Sequence, residues 1–431
     1  MNNKETNINT IFNIINKEEK RQTEGVELIA SENYVSKNVL KAAWSILTNK
    51  YAEGYSWKRY YGGCNNIDEI ESLAIELAQN LFKTDYKVNV QPHSWSSANM
   101  WVYFSVLKPW DIIMWLELVS WWHLTHGAKP SFSGEKFWIF NSVSYGTNEN
   151  WLLDYDAIEE LALDIKPQMI VAGASAYARE IDFKRFKKIA DKVGAYLLVD
   201  MAHIAWLVAT WQHCSPFWIA DFITTTTHKT LRGPRWWMIF SKTEELAKKV
   251  NSAIFPWIQG GPLEHIIAAK AVCFSEALDN SFIEYQKQVI KNAKKFEEIF
   301  KEKKINVKGK EKHIKIVTNW TDNHLLLLDF TELWISGKEV SELLEKINIT
   351  TNMNTVPWDT TPFNPSWIRI WTPAITSRWI KEDWIEKIAN SMISIIESYI
   401  NNNENILEEN ININRNKMID LVKDLTIYPN S

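Results

Sequence analysis

DFITTTTHKTLRGPR (221–235) reads as a strand running into a loop. Thr224–Thr227 are four β-branched residues in a row, which argue a strand end. Gly233 and Pro234 punctuate a turn. Lys229 therefore stands where a strand gives way to a loop, the edge at which α/β sheets place reacting groups. It lies among threonine hydroxyls, beside His228, with no carboxylate next to it. Such a lysine is a candidate for covalent attachment to a carbonyl compound. Taken alone, a lysine in such a stretch is more often a solvated surface group, so the rest of the chain has to decide.

Outward from this stretch, strand and helix alternate. Candidate strands lie at 88–92, 111–115, 168–175, 195–202, 221–227 and 237–241, with helices at 96–107, 154–165, 182–193 and 243–252. Short apolar strands between amphipathic helices predict a mostly parallel sheet covered on both faces. Residues 263–303 read as one long helix. The end of the chain reads as a smaller α+β unit, with strands at 325–330 and 368–371 and helices at 337–347 and 380–400. The polar, Asn-rich stretch 401–416 still permits a helix. Before the sheet, Ile8, Ile11, Phe12, Ile14 and Ile15 recur among polar residues, which predicts an amphipathic N-terminal arm. A helix is expected over 36–47, and Asn66 opens another, after a loop rich in tyrosine and glycine (48–63).

Composition narrows the function classes. A net charge of −4 gives no support for a nucleic-acid or anionic-membrane partner. The start of the chain has no apolar segment of the signal-peptide kind, and no apolar run has the length of a membrane span. Cys64, Cys214 and Cys273 are far apart and lack metal-ligand spacing, so no metal and a reducing, cytoplasmic setting are expected.

Several residues could carry chemistry with Lys229. Asp200 ends an apolar strand, where a carboxylate is costly to bury without a partner. It is either a helix cap or a partner for a protonated ring nitrogen, the group that makes a pyridinium an electron sink. Ser94, Ser96 and Ser97 fall at the start of a predicted helix, a place suited to a phosphate dianion and equally to a plain serine cap. Gly260 and Gly261 form a second place where backbone could approach a phosphate. Arg369 lies inside an apolar strand, where it would grip a substrate carboxylate or form a structural ion pair. Glu53 sits in a loop with Tyr51 and Tyr55 and is a candidate general acid or base, or simply solvated. His123 and His203 could each stack on a flat ring.

ELIASENY (27–34), TNKYAEGY (48–55), KRYYGGC (58–64), NVQPHS (89–94), HLTHG (123–127), FSG (132–134), VDMAH (199–203), TTTTHKTLRGPR (224–235), QGGP (259–262), TDNHL (321–325) and TPAIT (372–376) follow one another along the chain. On these stretches it resembles the serine hydroxymethyltransferases, fold-type I pyridoxal-phosphate enzymes, over nearly its whole length. The resemblance implies a mostly parallel seven-stranded sheet with helices on both faces, of the aspartate-aminotransferase type. It implies an arm and substrate loop at 1–60, a large cofactor-binding domain at 61–282 and a small C-terminal α+β domain at 283–431. Lys229 would hold pyridoxal 5'-phosphate covalently and Asp200 would pair with its ring nitrogen. His123 would stack on the ring, and Ser175 and His203 would lie near its phenolic oxygen. Ser94, Ser96 and Ser97 would hold the phosphate. Tyr51, Gly260 and Gly261 would come from the partner subunit of a homodimer with a shared active site. Ser31 and Arg369 would bind the amino-acid carboxylate, and Tyr61 would line the substrate site. Glu53 would move a proton, and His228 is grouped with the catalytic residues. Leu118, Trp122, His123, Leu124, Asn354, Thr361, Pro362 and Phe363 would touch tetrahydrofolate. The implied reaction moves the hydroxymethyl group of serine to tetrahydrofolate, giving glycine and 5,10-methylenetetrahydrofolate. The alternatives are a folate-independent enzyme of the threonine-aldolase type and a catalytically dead scaffold.

The departures from the family pattern are nearly all tryptophans. There are 23 Trp and only 14 Gly in 431 residues, so glycine is about 3% against roughly 7% on average. Tryptophan stands where the family has glycine at Trp95, Trp121, Trp122, Trp206, Trp236, Trp237, Trp257, Trp320 and Trp371, and Trp110 fills a turn position after Pro109. Indoles at positions selected for no side chain would overpack each site by roughly 1–3 kcal/mol, and the total would exceed the roughly 5–15 kcal/mol stability of a domain. Functional drift would scatter such changes over many residue types. Adding the 23 to the 14 brings glycine to 37 of 431, about 9%. The expectation is therefore glycine at most or all of these positions, from a UGA codon reassigned to glycine. Indoles at Trp95, Trp121, Trp122, Trp236 and Trp237 should crowd the pocket beside Lys229.

Overall fold

The computed structural model describes residues 3–117, 133, 139–356, 359, 365–401 and 404–428. The chain divides into two compact units, Val35–Lys287 and Met1–Tyr34 with Gln288–Pro429.

The larger unit is built on seven strands: β1 (Lys87–Asn89), β2 (Ile112–Leu116), β3 (Asn141–Tyr145), β4 (Met169–Ala172), β5 (Tyr196–Asp200), β6 (Phe222–Thr226) and β7 (Trp237–Ser241). Their order is β1-β7-β6-β5-β4-β2-β3, and only the two pairings made by β7 are antiparallel. This is the expected α/β architecture. Strands β4, β5 and β6 are buried almost throughout, as a covered parallel sheet requires. Helices Trp95–Val106 and Glu244–Ser252 pack on the β7 side, and Phe183–Val193 packs on β4 and β5.

This topology places the chemistry. Asp200 pairs in register with Thr224, so β5 and β6 end at the same sheet edge. β1 is antiparallel to β7, which is antiparallel to β6, so β1 ends there too. The residues after β1, β4, β5 and β6 therefore gather at one carboxyl edge: Ser94–Ser97, Ser175, His203 and Lys229.

Two expectations need correction. Residues 263–303 form two helices, Glu264–Ala277 and Asn280–Glu302. The chain turns at Leu278 and Asp279, where the Asp279 carboxylate accepts from Ser281 N at 2.8 Å. The 36–47 segment is a short helix, Lys37–Ala43, followed by a 3₁₀ turn at Ile46–Asn49.

The smaller unit carries an antiparallel sheet of β8 (Lys315–Ile316), β9 (Leu325–Asp329), β10 (Asn352–Asn354) and β11 (Trp367–Trp371), in the order β8-β9-β11-β10. Its core joins Leu326, Leu328, Ile368 and Ile370 to Ile385, Ile388 and Ile395 of helix Glu382–Ile400. Val26–Glu27 adds a parallel pair to Ile349–Thr350. The buried Arg378 guanidinium donates to the carbonyls of Thr23, Gly25 and Val422, tying the N-terminal helix Asn3–Glu24 to the C-terminal helix Glu404–Val422.

Candidate active site

Lys229 lies three residues beyond β6 and is buried. The loop carrying it closes on itself: Gly233 N donates to Thr227 O at 2.7 Å, and Thr227 Oγ1 donates to Pro234 O at 2.6 Å. Gly233 is required there, because a Cβ would stand 2.6 Å from Cys273 Sγ and 2.9 Å from Thr227 O. The Lys229 Nζ is 2.9 Å from His203 Nε2, in the turn after β5.

Asp200, at the end of β5, is buried, and its carboxylate accepts from Trp95, Asn99 and Ala202. Trp95 Nε1 donates to Oδ2 at 2.5 Å, Asn99 Nδ2 to the same oxygen at 3.2 Å, and Ala202 N to Oδ1 at 3.0 Å. Thr224 Oγ1 in turn donates to Asn99 Oδ1 at 2.9 Å. Helix Trp95–Val106 thus orients the carboxylate, while the expected phosphate loop starts that helix. Ser94 caps it, accepting from Ser97 N, and Ser97 Oγ accepts from Ser94 N at 3.0 Å. The serine-cap reading and the phosphate reading meet at this one place, since the exposed turn leaves Ser94 and Ser96 open to solvent.

Between Lys229 and Asp200 lies the Trp95 indole. Lys229 Nζ sits 3.9 Å from the indole centroid, and Trp95 stacks on Trp237 with centroids 5.2 Å apart. Trp236 tilts against His93 at 4.9 Å. The crowding expected beside Lys229 is present at Trp95 and Trp237, while Trp236 packs on His93; Trp121 and Trp122 lie outside the described residues. The indole N–H takes an Asp200 oxygen that a protonated pyridine nitrogen could equally use. The donor set therefore fits pyridoxal phosphate in chemistry, with the tryptophan holding its space.

His228 is half-buried beside Lys229. Burial, and then the charges of Lys229 and Arg235, push its imidazole down to about 3. At pH 7 it is a neutral ring.

A second cluster forms on the loop after Lys50. Tyr51 Oη donates to Glu53 Oε1 at 3.3 Å and Tyr61 Oη to Oε2 at 3.4 Å. The Glu53 carboxylate raises the Tyr61 phenol. Gly260 and Gly261 pack on the same residues: a Cβ at Gly260 would lie 3.3 Å from Glu53 Oε1, and one at Gly261 3.3 Å from the Tyr51 ring. Beneath it, Arg59 is held by Asp68 at 2.8 Å and Glu71 at 2.5 Å, and donates to the carbonyls of Ala52 and Gly54 on either side of Glu53.

In the smaller unit, Arg369 lies on β11 opposite Asn352 of β10. Asn352 Oδ1 accepts from Ala30 N, and Leu28 O accepts from Trp371 N, so the Ser31 turn sits near the strand bearing Arg369. Burial lowers the Arg369 guanidinium to about 10, which leaves it charged at neutral pH. Asn354 ends β10 and donates to Thr355 O. Leu118, Trp122, His123, Leu124, Thr361, Pro362 and Phe363 lie outside the described residues.

A family model described as serine hydroxymethyltransferase matches residues 4–392. The chain belongs to the serine hydroxymethyltransferase family. It is 54% identical over 389 residues to a serine hydroxymethyltransferase of Lactobacillus johnsonii, covering 90% of this chain and 92% of that one. It is 53% identical over 390 residues to that of Lactobacillus gasseri, with the same coverage. To that of Limosilactobacillus reuteri it is 55% identical over 377 residues, covering 87% and 89%. Membership makes the chain a transferase and implies use of pyridoxal phosphate and tetrahydrofolate.

Two partners escaped the sequence reading. Asn99 appears in sequence only as one polar residue of a helix, and its contact with Asp200 exists once that helix packs against the sheet. Glu180, His213 and Cys214 bring three ligand-type atoms within 4.8 Å, a cluster that cysteine spacing does not reveal. The Cys214 thiol is pushed up to about 12 by burial and then by Glu180, and it donates to Ile181 O at 2.8 Å. Among the described residues no helix is long and apolar enough to cross a membrane.

Proposed function

We propose that this chain transfers the hydroxymethyl group of serine to tetrahydrofolate, giving glycine and 5,10-methylenetetrahydrofolate, with Lys229 as the covalent anchor of pyridoxal phosphate. The observation that carries the assignment of Lys229 and Asp200 is that both are buried at the carboxyl ends of neighbouring parallel strands, with Lys229 Nζ 2.9 Å from His203 Nε2. When bound, pyridoxal phosphate supplies an electron sink for charge that develops at the substrate Cα. The chain's own residues do the rest. Asp200, oriented by Asn99 and Ala202, keeps the ring nitrogen protonated. Ser94, Ser96 and Ser97 at the helix start receive the phosphate, where backbone N–H groups and the helix dipole favour an anion. His203 holds the Lys229 amine in place at 2.9 Å. Arg369, with Ser31, grips the substrate carboxylate as a two-pronged donor. Glu53, held between two tyrosines, moves the proton of the substrate hydroxyl.

The reading includes a homodimer in the cytoplasm. Support comes from helix Asn3–Glu24, whose Ile11, Phe12, Ile14 and Ile15 are all more than half exposed. An apolar stripe of that kind calls for a cover. Tyr51, Glu53 and the Gly260–Gly261 loop cluster together, which suits their being offered jointly to the partner's site.

A serine-cleavage assay tests the function. Glycine formation should depend on tetrahydrofolate and vanish in Lys229→Ala. Cleavage of serine or threonine that is indifferent to tetrahydrofolate would favour the aldolase reading.

A further inference from the structure

We infer that the functional protein carries glycine, not tryptophan, at the described positions where tryptophan holds a left-handed backbone or buries an indole N–H with no acceptor, and at position 95 beside Lys229. The first argument is conformational. Among the described residues, fourteen non-glycine residues have positive φ, and half are tryptophan, a residue that makes up 23 of 431 in the sequence. An L side chain in this region clashes with its own carbonyl; asparagine and aspartate tolerate it, and bulky residues do not. Packing does not offset the strain. Trp57, Trp218, Trp334 and Trp379, with φ of 64°, 70°, 58° and 67°, are all between 58% and 71% exposed.

The local geometry asks for glycine specifically. At 108–111, Asp111 N donates to Lys108 O at 3.1 Å, Pro109 occupies the second position, and Trp110 the third with φ 74°. That is a type II turn, whose third position is a glycine position. Trp334 is the left-handed cap of the Thr331–Leu333 turn, the place where glycine ends helices.

Buried tryptophans supply an independent argument. A buried indole N–H ordinarily finds an acceptor. Those of Trp101, Trp115, Trp206 and Trp236 have none. One substitution, to a residue without side chain, resolves the left-handed turns and the orphaned indoles together. At position 95 it also vacates the volume between Lys229 and Asp200, leaving Asp200 its Asn99 and Ala202 donors and freeing one acceptor site for a ring N–H. A single cause that acts on one residue type alone is a codon: UGA, decoded as glycine in the cell that makes this protein.

The test reads residue identity, not activity, so it stands or falls separately from the catalytic proposal. Peptide mass spectrometry of the protein isolated from its source should find glycine at 57, 95, 110, 218, 334 and 379, and the gene should carry UGA at the same codons. Tryptophan in those peptides, or UGG at those codons, would overturn the inference.

Discussion

Lys229 and Asp200 are both buried at the ends of neighbouring parallel strands, and each is held by a side chain from another element. Replacing Asp200 with Asn would keep the shape but remove the charge facing the ring nitrogen. Turnover measured with saturating cofactor should fall by about 10²–10³-fold, the scale of losing one preorganised electrostatic partner. Arg369→Ala should lower kcat/KM for serine by about 10²-fold or more, as expected for losing charge-assisted hydrogen bonds of roughly 1.5–3 kcal/mol each. The loss should sit mainly in KM. Asp200 stands out in the sequence because it ends an apolar run, and Lys229 because it follows four threonines where a strand gives way to a loop. Asn99 does not, because nothing local distinguishes an inward asparagine on a helix from an outward one.

Elements with apolar runs were legible; polar ones were not. β3, Asn141–Tyr145, reads NSVSY and lies at the sheet edge, so no hydrophobic run marks it. The break at Leu278–Asp279 has no glycine or proline to announce it. The hairpin Gly54–Tyr55 with Lys58–Arg59 depends on a buried charge cluster. Gly54, at φ 98°, would bring a Cβ within 2.4 Å of Lys58 O. Arg59→Leu leaves Glu71 and Asp68 without their cation and should destabilise the fold by roughly 3–5 kcal/mol in denaturant titrations. Glu264 belongs to this cluster at 3.9 Å from Arg59, and neither of its oxygens is hydrogen bonded. Burial, then the Glu71 charge, pushes it up to about 8. A raised carboxyl pKa means that the folded state holds the proton more tightly. That contribution is fully present below the unfolded value near 4.5 and is lost as pH rises through about 8. Across that window stability should fall as pH rises, because the unfolded state gives up the Glu264 proton first. Glu264→Gln should flatten the decline and be the more stable protein at pH 8; an unchanged slope would assign the decline to other groups.

At the scale of the molecule, the larger unit was legible because strand and helix alternate strongly. The assignment of Tyr51, Gly260 and Gly261 to a neighbouring subunit rests on the proposed dimer. If sites are shared, chains inactivated by Lys229→Ala and by Glu53→Gln should complement each other. Mixed refolding of the two should restore activity that neither recovers alone, through heterodimers with one intact site. The central claim is that Lys229 anchors pyridoxal phosphate in a pocket that glycine at position 95 opens. Its most direct test is borohydride reduction of the chain carrying glycine at the 23 tryptophan positions, with pyridoxal phosphate present, followed by peptide mapping. The account predicts the reduced cofactor on Lys229, and none when Trp95 is restored. An unmodified Lys229 in the glycine-bearing chain, or equal labelling with Trp95 in place, would contradict it.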